Sequence, residues 1–111
     1  MDGTISPCYH DPYDNLLCQI FGAKFIRLFP PDSPGLYPHS EESLLSNSSQ
    51  LDVENPDYSE FPEHRKAQPL DCVLERGEML FIPKGWWHFV KSLTPSFSVS
   101  FWWHQNKYID D

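Results

Sequence analysis

Three side chains of metal-binding type stand where strand ends are expected: His10, Asp11 and His88. A carboxylate and two imidazoles gathered on one face form the facial triad of non-heme Fe(II) sites, which leaves coordination positions open for a co-substrate and O2. The usual source of the first two ligands is a His and an Asp two residues apart, because residues i and i+2 of an extended segment point the same way. A distant His then comes from a facing strand. This chain breaks that spacing. His10 and Asp11 are adjacent, so an extended backbone sends them to opposite sides, and the residue two before Asp11 is Tyr9. On the residues alone the metal signal is weak. A lone histidine in an aromatic stretch such as Trp86-Trp87-His88-Phe89 is more often a hydrogen-bonded core residue than a ligand.

The elements that would position these residues are strands. Residues 15–21 form an apolar run, Gly22-Ala23 breaks it, and residues 24–29 alternate, with Phe25, Arg27 and Phe29 on one face and Lys24, Ile26 and Leu28 on the other. Two runs joined by a Gly-containing break read as a β-hairpin. Residues 70–74 alternate, residues 79–82 are a buried-type strand ended by Pro83, and residues 86–92 are another strand. Residues 97–103 carry the cleanest period of two: Phe97, Val99, Phe101 and Trp103 against Ser98, Ser100 and Trp102. The small serines mark a face that lines a pocket or meets another sheet closely. The turns fall at 75–78, 84–85 and 93–96. Residues 31–69 are polar and Pro-rich, with helical turns expected at 40–46, capped by Ser40, and at 59–66. A connection of that length inside a compact domain holds structure of its own or serves a function, and we read it as an insertion between two halves of a sheet. About seven short strands, little helix and no repeat predict an all-β sandwich or barrel.

Composition narrows the class. The chain has 111 residues, enough for one domain, with 40% hydrophobic content for a core and 11 prolines that favour long structured loops. Its formal net charge of -8 argues against direct nucleic-acid binding, since no excess of Lys and Arg exists to displace counterions. An acidic surface would still attract a basic peptide. Cys8, Cys18 and Cys72 are odd in number and show no CxxC pairing, and Cys18 reads as a small buried hydrophobe. Reduced thiols, no signal peptide and no apolar run near the ~20 residues that span a bilayer predict an intracellular protein, nuclear or cytoplasmic, without a membrane role. The Asn47-Ser48-Ser49 sequon is then taken as chance.

Several segments, in order, carry a resemblance: residues 3–12 with their Ser6-Pro7 step before Asp11, Gly22-Ala23-Lys24-Phe25-Ile26-Arg27-Leu28, Leu36-Tyr37-Pro38, residues 52–57, Gly77-Glu78-Met79-Leu80-Phe81-Ile82-Pro83, Trp87-His88, and Phe97 to Trp103. Each is weak alone, but the ordered set resembles the JmjC-domain 2-oxoglutarate oxygenases over nearly the whole chain. The resemblance implies a double-stranded β-helix, a jelly-roll or cupin-like barrel, over residues 1–111. It also implies Fe(II) and 2-oxoglutarate as cofactor and co-substrate. Asp11 falls on the carboxylate ligand and His88 on the distal histidine ligand. Lys24 falls on the lysine that pairs with the far carboxylate of 2-oxoglutarate, Asn15 and Ser6 on polar positions that contact it, and Trp102 on an aromatic at the pocket. The activity implied is protein hydroxylation or demethylation, with a protein or peptide partner bearing an arginyl or methyl-lysine side chain.

Two departures qualify this. Tyr9 stands where the family has its first histidine ligand. A phenol with a pKa near 10 is a poor ligand for Fe(II) at neutral pH. Either the loop slips by one and His10 reaches the metal, or the site keeps two ligands and is impaired or inactive. The family's domains also begin well before this point, so the barrel is expected to be partial, truncated on its N-terminal side. Enzyme and catalytically silent binding module, or non-functional fragment, both stay open, with a cupin-like small-molecule binder as a third reading.

Overall fold

The computed structural model describes residues 7–104. Seven strands run through it: β1 (Tyr9–His10), β2 (Asp14–Phe21), β3 (Lys24–Phe29), β4 (Leu70–Leu74), β5 (Met79–Ile82), β6 (Trp87–Ser92) and β7 (Phe97–Trp103), with a short 3-10 helix at Pro62–Lys66. They form two sheets, a four-stranded one in the order β1-β6-β3-β4 and a three-stranded one in the order β5-β2-β7. Every pairing is antiparallel. Along the chain the strands switch sheet at each step, except from β3 to β4. That interleaving is the jelly roll, and the expectation of an all-β, cupin-like fold holds.

The expected hairpin does not form. β2 and β3 lie in different sheets, so Gly22-Ala23 is a crossover between them. A hairpin turn and a sheet-to-sheet crossover share the same local signal, a glycine in the left-handed region. Gly22 has φ +75, and a Cβ built on it would come 2.2 Å from the Pro95 carbonyl oxygen. The crossover is pinned to the β6–β7 turn, where the Leu93 amide donates to the Ala23 carbonyl at 3.0 Å and the Ala23 amide to Thr94 Oγ1 at 3.1 Å.

Alternation sorts the side chains into two apolar layers. Leu17 of β2, Ile26 and Leu28 of β3, Leu74 of β4 and Ile82 of β5 are buried between the sheets. Phe29 of β3 and Trp87 and Phe89 of β6 point to the other side of the four-stranded sheet. There they meet Cys8, Leu36, Leu51 and Val53, with Phe25, Tyr37, Phe61 and Ala67 packed around them. The connection from β3 to β4 therefore supplies half of the second core. It joins two directly paired strands and folds back over their sheet. Polar contacts fasten it: Arg27 holds Asp71 through two bonds of 2.8 and 2.9 Å and donates from Nη1 to the Val53 carbonyl at 2.8 Å. His64 Nδ1 donates to the Gly35 carbonyl at 2.8 Å. The turn near residue 40 is real, with the Glu42 amide on Ser40 Oγ, but residues 40–46 make consecutive turns rather than a helix.

Two further points differ from expectation. The fully buried thiol is Cys8, whereas Cys18 is half-buried on the outer side of β2. Burial pushes the Cys8 thiol up to about 12, so it stays protonated and inert. The outer face of the three-stranded sheet is also strongly apolar, with Ile20, Met79, Phe81, Phe97 and Phe101 at least half exposed and Trp103 stacked on Phe81 at 6.0 Å. Among the described residues no helix is long and apolar enough to cross a membrane.

Gly22→Ala is expected to destabilise the chain by about 2 kcal/mol or more, since both φ and the Pro95 oxygen oppose a Cβ. Urea unfolding at constant m-value measures it.

Candidate metal and co-substrate pocket

Antiparallel pairing of β1 with β6 sets Tyr9 opposite His88 and His10 opposite Trp87. Residues paired this way share a face. Tyr9 accordingly packs its ring on the His88 imidazole, with centroids 4.6 Å apart, while His10 meets the edge of Trp87 at 4.5 Å on the other side. Two hydrogen bonds to Asn47 hold this register: the His10 amide donates to its carbonyl at 2.9 Å and its Nδ2 donates to the His10 carbonyl at 3.2 Å. A one-residue slip would break both and swap the two faces. The structure thus brings Tyr9, not His10, to His88.

Asp11 follows β1 and turns back to the same place. Its carbonyl accepts the Gly85 amide at 2.9 Å, and Asp14 Oδ1 accepts the Lys84 amide at 2.9 Å, so the β5–β6 turn anchors both ends of this loop. Asp11 Oδ2 lies 3.7 Å from His88 Nε2. His88 is 4% exposed. Burial holds its imidazole below the ordinary value of 6.5, partly offset by the Trp86 carbonyl and by Asp11. Its Nδ1 lies 3.3 Å from the Trp86 carbonyl oxygen, which can only accept. The proton of the neutral ring is therefore on Nδ1, leaving the Nε2 lone pair facing Asp11.

Two lone-pair donors at 3.7 Å with no proton between them suit a cation. Two atoms each ~2.1 Å from one divalent ion can be at most ~4.2 Å apart. The third position does not fit as well. Burial and the Asp11 charge raise the Tyr9 phenol, which keeps it protonated and a weak donor at neutral pH. Among the described residues no group of three His, Cys, Asp or Glu converges on one point.

The pocket continues inward from this pair. A cavity of about 180 Å³ is lined by Tyr9, Asp11, Asn15, Lys24, Ser98 and Trp102, with apolar walls from Leu17, Ile82 and Val90. That is room for about six waters at ~30 Å³ each. Lys24, the first residue of β3, donates from Nζ to Ser98 Oγ at 2.5 Å and has no carboxylate within salt-bridge distance among the described residues. Asn15 is 5% exposed, and its Oδ1 has no hydrogen-bond partner. A half-buried cation with one neutral partner and an orphaned buried amide are what an anionic, polar occupant would satisfy. The mouth opens into a wider cavity of about 400 Å³ lined by Tyr9, Asp11, Tyr13 and Trp102.

Of the residues singled out in the sequence, Asp11, His88, Lys24, Asn15 and Trp102 share this pocket, and His10 lies outside it. Ser6 falls outside the described residues. The serines of β7 face inward as their alternation predicts. Tyr13 was missed: it sits in the bend between β1 and β2, where no periodicity exists to place a side chain.

A family model described as a cupin-like domain matches residues 1–108. The chain is 54% identical over 102 residues to lysine-specific demethylase JMJ30 of Arabidopsis thaliana, a match covering 91% of this chain and 24% of that protein. It is 53% identical over 102 residues to lysine-specific demethylase 8 of Danio rerio, covering 91% and 25%. With Jumonji C domain-containing protein 5 of Drosophila melanogaster the identity is 46% over 102 residues, again covering 91% and 25%. The chain spans about a quarter of the length of these relatives.

The depressed His88 value has a stability consequence. Below 6.5 the unfolded chain takes up a proton that the buried imidazole refuses, so this contribution is complete above pH 6.5 and is lost as pH falls toward the folded value. Unfolding free energies measured between pH 7.5 and 5.5 are expected to fall, and His88→Gln is expected to flatten that slope.

Proposed function

The chain belongs to the cupin-like family of JmjC domains, and from that membership we propose that it is the pocket-bearing part of an Fe(II)- and 2-oxoglutarate-dependent protein hydroxylase or demethylase, weakened at the metal by Tyr9. One observation carries this reading: a lysine at the inner end, held by Ser98, and an orphaned amide opposite Trp102 line the same cavity whose mouth holds the Asp11–His88 pair. Lys24 and Asn15 would hold 2-oxoglutarate, and Asp11 and His88 would hold the metal. When bound with O2, the two groups supply the oxidation that inserts one oxygen atom into a substrate C–H bond while 2-oxoglutarate leaves as succinate and CO2.

The residues of this chain do the rest. Lys24 is a point charge fixed by Ser98, so it orients a carboxylate without large rearrangement. Leu17, Ile82 and Val90 supply the apolar part of the cavity wall, and the less water they leave beside Lys24 the stronger that ion pair is. The Trp86 carbonyl keeps His88 in the tautomer that leaves Nε2 free. Trp102 and Tyr13 form the mouth through which a side chain would enter. The substrate side chain is arginyl or methyl-lysine: the names of the relatives favour the lysine, and a net charge of -8 favours basic peptides of either kind.

Tyr9 favours a second reading, a JmjC module that binds its small molecule or a peptide without turnover. Calorimetry and succinate release separate the two. We expect 2-oxoglutarate to bind, and Lys24→Ala to weaken it by roughly 10- to 100-fold, the loss of one charge-assisted contact. Mn(II) is expected to bind weakly to the wild type and at least ~10-fold more tightly to Tyr9→His, since imidazole replaces a protonated phenol as third donor. Succinate release that stays at the His88→Ala background in both wild type and Tyr9→His sinks the oxygenase reading. Mn(II) binding that Tyr9→His leaves unchanged removes the defect assigned to Tyr9.

A further inference from the structure

The pocket so far accounts for the tip of Lys24 but not for what aims it. Lys24 is the first residue of β3, two beyond Gly22, so its direction is set by the crossover that delivers it. That crossover is held from β2 by a residue no part of the reading above uses. Gln19 is 1% exposed, and its Nε2 donates to the Phe21 carbonyl at 2.8 Å and the Gly22 carbonyl at 3.2 Å. The β2–β7 register shifts between Gln19 and Phe21, and the side chain of Gln19 closes that irregularity. With Nε2 committed to the turn, Oε1 remains, and it is buried without a partner. An acceptor stranded in this way is destabilising, so a fold that keeps one has a use for it or a guest to satisfy it.

Register supplies the use. Gln19 is the direct cross-strand partner of Ser98, and Ser98 Oγ is the atom that Lys24 Nζ holds. A hydroxyl that accepts from an ammonium still has its own proton to donate, and Gln19 contributes an unfilled acceptor on the same inner face. Opposed residues on one face of an antiparallel pair keep their Cβ atoms about 4.5–5.5 Å apart, which sets Gln19 beside Ser98 although its Oε1 makes no hydrogen bond there.

We propose that Gln19 is the positioning residue of the anion pocket: with Ser98 it fixes how far Lys24 reaches into the cavity, and so sets the length of dicarboxylate that the pocket accepts. This deepens the co-substrate reading and rests on it. Gln19 does not touch the guest. It acts through the crossover carbonyls and through Ser98, and Asn15 and the metal pair fix the other end of the ruler. A ligand one carbon shorter would leave Lys24 short of its carboxylate, and a slack Lys24 would close that gap.

The test uses the full chain with Gln19→Met, a flexible side chain of similar size without polar ends, Ser98→Ala, and the double variant. Calorimetry gives affinities for 2-oxoglutarate and for oxaloacetate, its four-carbon analogue, and urea unfolding runs in parallel. Each single variant is expected to weaken 2-oxoglutarate about 3- to 10-fold, with a smaller loss for oxaloacetate, so that the ratio of the two affinities falls. The double variant is expected to be no worse than the weaker single one, because both act through one network. A merely structural role lowers stability and leaves the ratio unmoved, and an unchanged ratio or strictly additive losses overturn the proposal. Should Gln19→Met fail to fold, the ratio in Gln19→Asn decides in its place, since the shorter amide stays polar but no longer reaches the Phe21 and Gly22 carbonyls. A wild-type chain that binds neither acid overturns the co-substrate reading and this selectivity together. A wild-type chain that binds 2-oxoglutarate, with variants that keep its discrimination, overturns the selectivity alone.

Discussion

Only one residue of a two-residue strand can face a given neighbour, and in β1 that place goes to Tyr9. The pairing of Tyr9 with His88 puts the phenol beside the imidazole and turns His10 toward Trp87. Because side chains alternate strictly across the strand, no rotamer change brings His10 back. The Asn47 contacts on both backbone groups of His10 add a tether from the β3–β4 connection. What the site can bind at its mouth is therefore decided by backbone register, and the chemistry of residue 9 follows from it. A histidine there would sit in the same face without any rearrangement of the barrel.

The second constraint is that the four-stranded sheet needs cover on both sides. Its inner side meets the three-stranded sheet through Ile26 and Leu28, and its outer side carries Phe29, Trp87 and Phe89. Residues 31–69 meet that second demand with Leu36, Leu51 and Val53, which explains why so polar and Pro-rich a segment is ordered. The cover also reaches the site, because Trp87 and Phe89 flank His88 on β6 and their packing holds that strand, and with it the imidazole, in place. Arg27 ties the cover to the sheet through Asp71 and the Val53 carbonyl, so a charged residue on an otherwise apolar face has both of its roles satisfied.

How much of this was legible in the sequence depended on whether the signal was periodic. The alternation of residues 97–103 placed Ser98, Ser100 and Trp102 on the pocket side, and that of residues 24–29 separated Lys24, Ile26 and Leu28 from Phe25 and Phe29. The barrel and its family were legible from the ordered motifs. Three things were not. The step from β2 to β3 carries the same glycine signal whether the strands pair or part, so the crossover passed for a hairpin. Leu36, Leu51 and Val53 are single apolar residues in a polar run and have no period to betray burial. Gln19 is a second amide beside Asn15 in an otherwise largely apolar strand, and only its burial and its orphaned oxygen in three dimensions distinguish it from a surface glutamine.

The two ends of the pocket are built by different elements, and this bears on what Tyr9 changes. The inner end is built on β3 and β7 through Lys24 and Ser98, with Asn15 of β2 further toward the mouth, and none of these three strands pairs with β1. The metal end comes from β1, the loop after it, and β6. An altered residue 9 removes one donor at the mouth but leaves the inner cation, its serine and its amide where they are. On the proposed function, affinity for the small acid and affinity for the metal would thus be separable to the extent that the acid is held by Lys24 rather than by the ion. A charge fixed in a cavity with apolar walls is worth more than the same charge in water. On that argument, and on the function proposed above, the fold would keep its small-molecule pocket even with a weakened metal end, and the balance between the two would be set by a single position in β1.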